Sequence, residues 1–272
     1  MYSARIFPSI PGLRAYTSWM TPQRIDAIDT LRGLAMVWMT LFHFSFDLNH
    51  AGVWPQDFYT DPWWTWQRSC IVSLFLFCAG FSQALVVAQG QTLQRFMRRW
   101  LQVAGCALLV SLGSWWMFPQ SWIYFGILHG MAVMLLLVRM TMAWGQYLWL
   151  AGLLAVASKF FVAWLLVRWG SADVLAWMNA PVLNCLGWIT QKPITEDYVP
   201  VFPWLGVMWW GAASGMWLAK PARLSWLACL PAWRPLVLLG RWSLSYYMLH
   251  QPVLIGLVTL GVWLRANALS GA

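Results

Sequence analysis

The stretch TLRGLAMVWMTLFHFSFDLNH, Thr30–His50, has the length and apolar content of a membrane-crossing helix, yet it carries Arg32, His43 and Asp47. A crossing takes about 20 mostly apolar residues. An ionised group at the bilayer centre costs about 2.5–3.5 kcal/mol, so three polar residues within one crossing need a reason to be there. Arg32 and His43 are eleven residues apart. At roughly 100° per residue they return to nearly the same helix face, about 16 Å apart along the axis. Asp47 lies four residues after His43 and Asp29 three before Arg32, so all four fall on one stripe. Such a stripe is expected to face a protein interior or a wet cavity, not lipid. Snorkelling would account for Arg32 alone, and a hydrogen-bonded core histidine for His43 alone; the aligned set points to function.

The rest of the chain fits that setting. Hydrophobic residues make up 61% of it and charged residues 9%, far below the charge content of a soluble domain. The expected fold class is all-α integral membrane, a polytopic transmembrane helix bundle. Many of the 24 tryptophans fall where spans should end, among them Trp54, Trp63, Trp64, Trp66, Trp115, Trp116 and Trp122, as in an interfacial aromatic belt. The net charge of +9 then reports topology, and nucleic acid is rejected as a partner. The five cysteines show neither CxxC nor paired histidine spacing, so no disulfide framework and no metal site is expected. Residues 1–23 lack the pattern of a cleaved signal peptide and read as a cytosolic tail.

Candidate spans are 31–48, 69–88, 101–117, 121–138, 145–167, 199–218 and 236–264. That makes seven, or eight if 174–189 also inserts. Asn179, Pro181 and Asn184 favour an interfacial or re-entrant element there. The last span is long, and Pro252 is expected to kink or break it. With the N-terminus inside, twelve Lys and Arg fall on the inner side against five on the outer side and in span five, which agrees with the positive-inside rule. Gly126/Gly130 and Gly211/Gly215 have GxxxG spacing, which close helix packing explains without function.

Other spans add polar groups. His129 in YFGILHGMAV and His250 in SYYMLHQPVL are expected at a depth similar to His43, and Arg241 about two turns below His250. The outer loop TEDYVPVFPW brings Glu196 and Asp197 to the mouth, as substrate contacts or as solvated acids. Arginines at the inner mouth (Arg32, Arg95, Arg98, Arg99 and Arg241) suit a phosphate-rich donor, because guanidinium grips phosphate bidentately; for 95–99 a topology signal is the stronger reading. A deep histidine suits a general base for an amine or hydroxyl acceptor, and Asp47 could fix the tautomer of His43.

Five stretches carry a family resemblance: RIDAIDTLRGLAMVWMTLFHFSFDLN (24–49), RSCIVSLFLFCAGFSQAL (68–85), FGILHGMAV (125–133), DYVPVFPWLGVM (197–208) and LLGRWSLSYYMLHQPVL (238–254). Together they resemble bacterial relatives of the heparan-α-glucosaminide N-acetyltransferase catalytic domain, within the wider group of integral-membrane acyltransferases. The resemblance implies a multi-span enzyme, residues 24–264, that takes acetyl from cytosolic acetyl-CoA and delivers it to an extracytoplasmic acceptor, typically a sugar. The remaining 265–272 would be a short C-terminal tail. The wider group has an Arg, ten residues, then His, matched by Arg32 and His43. Arg32 would then contact the CoA phosphates and His43 would be catalytic. In the animal lysosomal enzymes Asn stands at the position of His43, and a catalytic His follows in a luminal loop before a Trp; the local match is His50 in NHAGVW. Both stay open, with the helical alignment favouring His43.

The expected site is therefore His43, Asp47 and His129 for catalysis, with His50 as the alternative; Arg32, Arg241, Arg98 and Arg99 for the donor; and His250, Arg68, Glu196 and Asp197 for the acceptor. The expected location is a bacterial inner membrane with the N-terminus cytoplasmic; a homodimer is left open. The competing reading is a transporter or flippase using the same residues as a relay, against which no inverted repeat is visible. A non-catalytic membrane subunit is a third.

Overall fold

The computed structural model describes residues 25–219 and 231–270. The proposed tail, the inner-side cations Arg5, Arg14, Arg24, Lys220 and Arg223, and Cys229 lie outside the described residues. Within them the chain is helical: α1 Asp26–His50, α2 Pro62–Ala88, α3 Leu93–Met117, α4 Ile127–Thr141 with a 3₁₀ turn to Trp144, α5 Tyr147–Trp169, α6 Ala172–Asn179, α7 Pro181–Asn184, α8 Val201–Leu218, α9 Arg234–Arg241 and α10 Ser243–Ser270. Local chemistry sets several starts. Asp61 and Thr92 accept hydrogen bonds from the first-turn N–H groups of α2 and α3, and Pro62 occupies the first position of α2.

Among the described residues five helices are long and apolar enough to cross a membrane: α2, α3, α4 with its turn, α5 and α10. The stripe dilutes the hydropathy of α1, and small residues and tryptophans that of α8. The 174–189 segment folds as α6 and α7, of 8 and 4 residues, too short to cross. Of the kink or break expected at Pro252, the break does not occur. Helix α10 runs through Pro252, and the chain turns instead at Trp242 (φ −98°, ψ 18°), between α9 and α10. Proline removes one helical N–H, that of residue 252 itself, and the helix is continuous on both sides of it.

Glycines decide how closely the helices pack. Gly80 of α2 lies against the Met208 carbonyl of α8, and Gly211 and Gly215 of α8 lie against the Phe77 and Phe81 carbonyls of α2. Gly152 and Gly206 bring α5 and α8 together, and Gly33 and Gly240 do the same for α1 and α9. The Gly211/Gly215 spacing thus marks a helix pair as expected. Gly126 and Gly130 instead face Asp197 and the Val199 carbonyl of the preceding loop of α8. A Cβ at Gly211 would stand 2.1 Å from the Phe77 carbonyl oxygen. Backbone cannot yield as a side chain can, so Gly211→Val is expected to cost about 1–3 kcal/mol or more and to lower the melting temperature in detergent. Gly105→Ala, where nothing stands within 4 Å of the new Cβ, is expected to leave it unchanged or raise it.

The apolar core runs through Met36, Met39 and Phe42 of α1, Phe75 and Leu76 of α2, Met134 and Val138 of α4, and Leu205 and Met208 of α8. The opposite edge of α1 is exposed and apolar: Leu31, Leu34, Val37, Leu41 and Phe44. Helix α1 is thus amphipathic with its polar stripe turned inward. That stripe meets α9 and α10. The paired residues ascend together along both chains, Arg32 with Gly240, Thr40 with Tyr246, His43 with His250 and Asp47 with Gln251, so α1 and α10 run parallel.

Candidate active site

The lower end of the seam is ionic. Asp29 is buried at 4% exposure and receives Arg32 Nη1 at 2.8 Å and Arg241 Nε at 3.6 Å. Arg32 also donates from Nη1 to the Gly240 carbonyl at 3.3 Å and from Nη2 to Ser82 Oγ at 2.6 Å. Its fork therefore clamps α1 to α2 and α9. Arg241 is more exposed and holds Asp26 at 2.8 Å.

One helical turn above Met36, Thr40 donates to the Met36 carbonyl at 2.8 Å. Its single proton is thereby used, so the 2.7 Å contact with the Tyr246 hydroxyl is a bond that Tyr246 donates. Above it lies the pair of imidazoles. His43 Nδ1 and His250 Nε2 are 2.8 Å apart, with ring planes 16° from parallel. His250 Nδ1 lies 2.7 Å from the Tyr247 carbonyl oxygen. A carbonyl only accepts, so His250 Nδ1 carries a proton. In a neutral His250, Nε2 is then the acceptor, and His43 Nδ1 donates to it. The lone pair of His43 is left on Nε2. The Tyr246 ring stacks on His250 at 5.9 Å, and Phe42, Phe58 and Trp64 form an edge-to-face and stacked cluster beside His43.

Asp47, 8% exposed, does not take the place expected of a third triad member. Its Oδ1 accepts from Gln251 Nε2 at 2.8 Å, while Asp47 Oδ2 and Gln251 Oε1 are buried without a hydrogen-bond partner. His250, not Asp47, is the group at the Nδ1 of His43.

The remaining expected residues divide. His250 joins His43 directly. His129 sits in the first turn of α4, where Nδ1 accepts from the Gly126 N–H at 3.3 Å and Nε2 lies 3.0 Å from Ser111 Oγ; one nitrogen caps that helix and the other ties it to α3. His50 is exposed at the end of α1 with its ring against Phe118. Arg98 lines a shallow open hollow of about 480 Å³ built from α3 alone, and Arg99 is exposed on the same helix. Arg68 is partly buried near Asp197 and Tyr59. Glu196 Oε1 accepts from Ser121 Oγ at 2.5 Å. Asp197 Oδ2 accepts from the Ile127 N–H at 2.7 Å, capping α4. Burial holds the Asp197 carboxyl above the usual carboxylate range, against the opposing pull of the Ile127 N–H and the Arg68 guanidinium. Asp197→Ala removes the cap and is expected to cost about 1 kcal/mol, read as a lower melting temperature; Asp197→Asn keeps an acceptor and should lose less.

Sequence reasoning passed over Thr40, Ser82, Tyr246 and Gln251. Thr40 lies three residues before His43 on the same stripe, and Gln251 adjoins His250, so both were within reach of the pattern. Ser82 carried no signal. Among the described residues no group of three or more His, Cys, Asp or Glu could hold a metal ion.

Among the described residues the elements are helical, five of the helices are able to cross a membrane, and a buried polar seam holds two bonded imidazoles; such a chain belongs with multi-pass membrane proteins. Compared with known families, residues 24–252 match the one described as heparan-alpha-glucosaminide N-acetyltransferase, catalytic. The match spans most of the chain, which belongs to that family; the membership indicates a membrane acetyltransferase. No curated protein and no solved structure matches the chain.

Proposed function

We propose that the protein moves an acetyl group from cytosolic acetyl-CoA to an amino or hydroxyl group of an extracytoplasmic acceptor, a sugar, with His43 as the general base. The observation that carries this reading is the His43–His250 bond inside a chain of this family: it puts the His43 lone pair on Nε2, one helical turn before Asp47, whose buried Oδ2 lacks a donor. An incoming amine or hydroxyl brings such a donor. The donor's phosphates would be met on the inner side by Arg241 and by the exposed arginines at the start of α3, while Arg32, already held by three groups, supports the floor between α1 and α9.

Seven crossings, α1, α2, α3, α4, α5, α8 and α10, fit the parallel course of α1 and α10, because an odd number returns the last helix to the direction of the first. The charge distribution supports an inner N-terminus in a bacterial cytoplasmic membrane. Residues 24–264 form the catalytic unit.

The test is to incubate the purified protein in detergent or liposomes with acetyl-labelled CoA and a panel of amino sugars. Label on a sugar and release of free CoA are expected. Absence of both, with no CoA binding at millimolar concentration, overturns the assignment and moves a transport relay ahead.

A further inference from the structure

We propose that His250 is a positioning residue that fixes His43 in the tautomer with the lone pair on Nε2 and then shares the proton His43 takes up. The chain of contacts is complete on one side: the Tyr247 carbonyl receives His250 Nδ1–H at 2.7 Å, and His250 Nε2 receives His43 Nδ1–H at 2.8 Å. Reversing the His43 tautomer would set two lone pairs against each other across 2.8 Å, so the bond selects one form. His250 is itself held, 6% exposed, between the stacked rings of His43 and Tyr246.

The step balances as follows, resting on the acetyl transfer proposed above. The acceptor's N–H or O–H proton passes to His43 Nε2 as its heavy atom bonds to the acetyl carbon. The C–S bond breaks, and its electron pair leaves with the CoA sulfur. The positive charge on His43 spreads when the Nδ1 proton moves to His250 Nε2, since His250 already keeps its other proton on the Tyr247 carbonyl. The proton then returns through His43 Nε2 to the sulfur, and both rings end as they began. Among the described residues, the polar and titratable groups around the pair include Gln251, bonded to Asp47 of α1, and the phenols of Tyr246 and Tyr247 on α10, whose rings lie against His250.

The experiment is nitrogen-15 NMR of the histidine-labelled full chain in detergent, with kinetics of the same samples. There are only four histidines, so single replacements assign the signals. In the wild-type protein both His43 and His250 are expected protonated at Nδ1, with a strongly downfield proton between them. His250→Ala should move the His43 signals toward the other tautomer and lower kcat by about a hundredfold or more, with the KM for acetyl-CoA little changed. His250→Gln places an amide oxygen that can accept from His43 but cannot take its proton; it should restore the tautomer and only part of the rate. A wild-type His43 protonated at Nε2, or His43 signals unmoved in His250→Ala, overturns the proposal. The spectra do not depend on turnover. Expected tautomers with no acetyl transfer from any acceptor would therefore sink the functional reading and the proton-sharing step, and leave the tautomer assignment standing.

Discussion

Replacing His43 with alanine is expected to lower acetyl transfer by about 10²–10⁴-fold, the usual contribution of a positioned general base. Donor affinity should be nearly untouched. The imidazole lies at the upper part of the seam, with the Thr40–Tyr246 pair between it and the ionic floor, so its removal leaves the inner arginines where they are. His50→Ala is the matched control. His50 is exposed beyond the seam and should keep most of the wild-type rate. A loss confined to His50→Ala would move the base to His50. A drop in CoA affinity in His43→Ala, measured by calorimetry on the same preparation, would place the imidazole in donor binding instead.

Arg32→Ala is expected to fail first in stability. The guanidinium makes hydrogen bonds to Asp29, Gly240 and Ser82, and side-chain exposure is 14% for Arg32 and 6% for Asp29. Taking one partner from a buried ion pair typically costs about 3–5 kcal/mol, because the remaining charge stays out of water. The Arg241 Nε, at 3.6 Å from Asp29, offsets part of that. Adding Asp29→Asn to Arg32→Ala should therefore recover part of the lost melting temperature, since a neutral amide is less costly to bury than a carboxylate. A variant that melts like the wild type and loses only CoA affinity would show that the guanidinium serves the donor's phosphates and not the clamp.

The stripe on α1 was legible because helical periodicity alone fixes which side chains share a face, and Asp29, Arg32, His43 and Asp47 do meet the same neighbours, α9 and α10. What they meet was not legible. His43 and His250 are 207 residues apart, and similar expected depth does not distinguish His250, which bonds His43, from His129, which caps α4. The assignment of Asp47 as the tautomer-setting group followed from proximity on one helix; a partner on another helix took that position, and only tertiary packing decides such a contest. Gly211/Gly215 and Gly126/Gly130 have the same spacing, yet one pair seats a helix and the other a loop, because spacing records the room a backbone needs and not what fills it. Pro252 does not end its helix for a related reason: one missing N–H is a local loss, whereas the turn at Trp242 ends the segment in which Gly240 fits against the Asp29 carbonyl of α1.

The imidazole pair joins the first described helix to the last. During synthesis His43 emerges from the ribosome more than 200 residues ahead of the ring that sets its tautomer, and the polar stripe of α1 must wait in an unfinished bundle. By the proposed mechanism, a nascent chain short of Tyr247 and His250 would hold the base without the group that sets its protonation. Premature termination anywhere before that point is expected to abolish acetyl transfer, and co-expressed fragments divided between α8 and α9 should regain function only when the late piece docks back onto the early one.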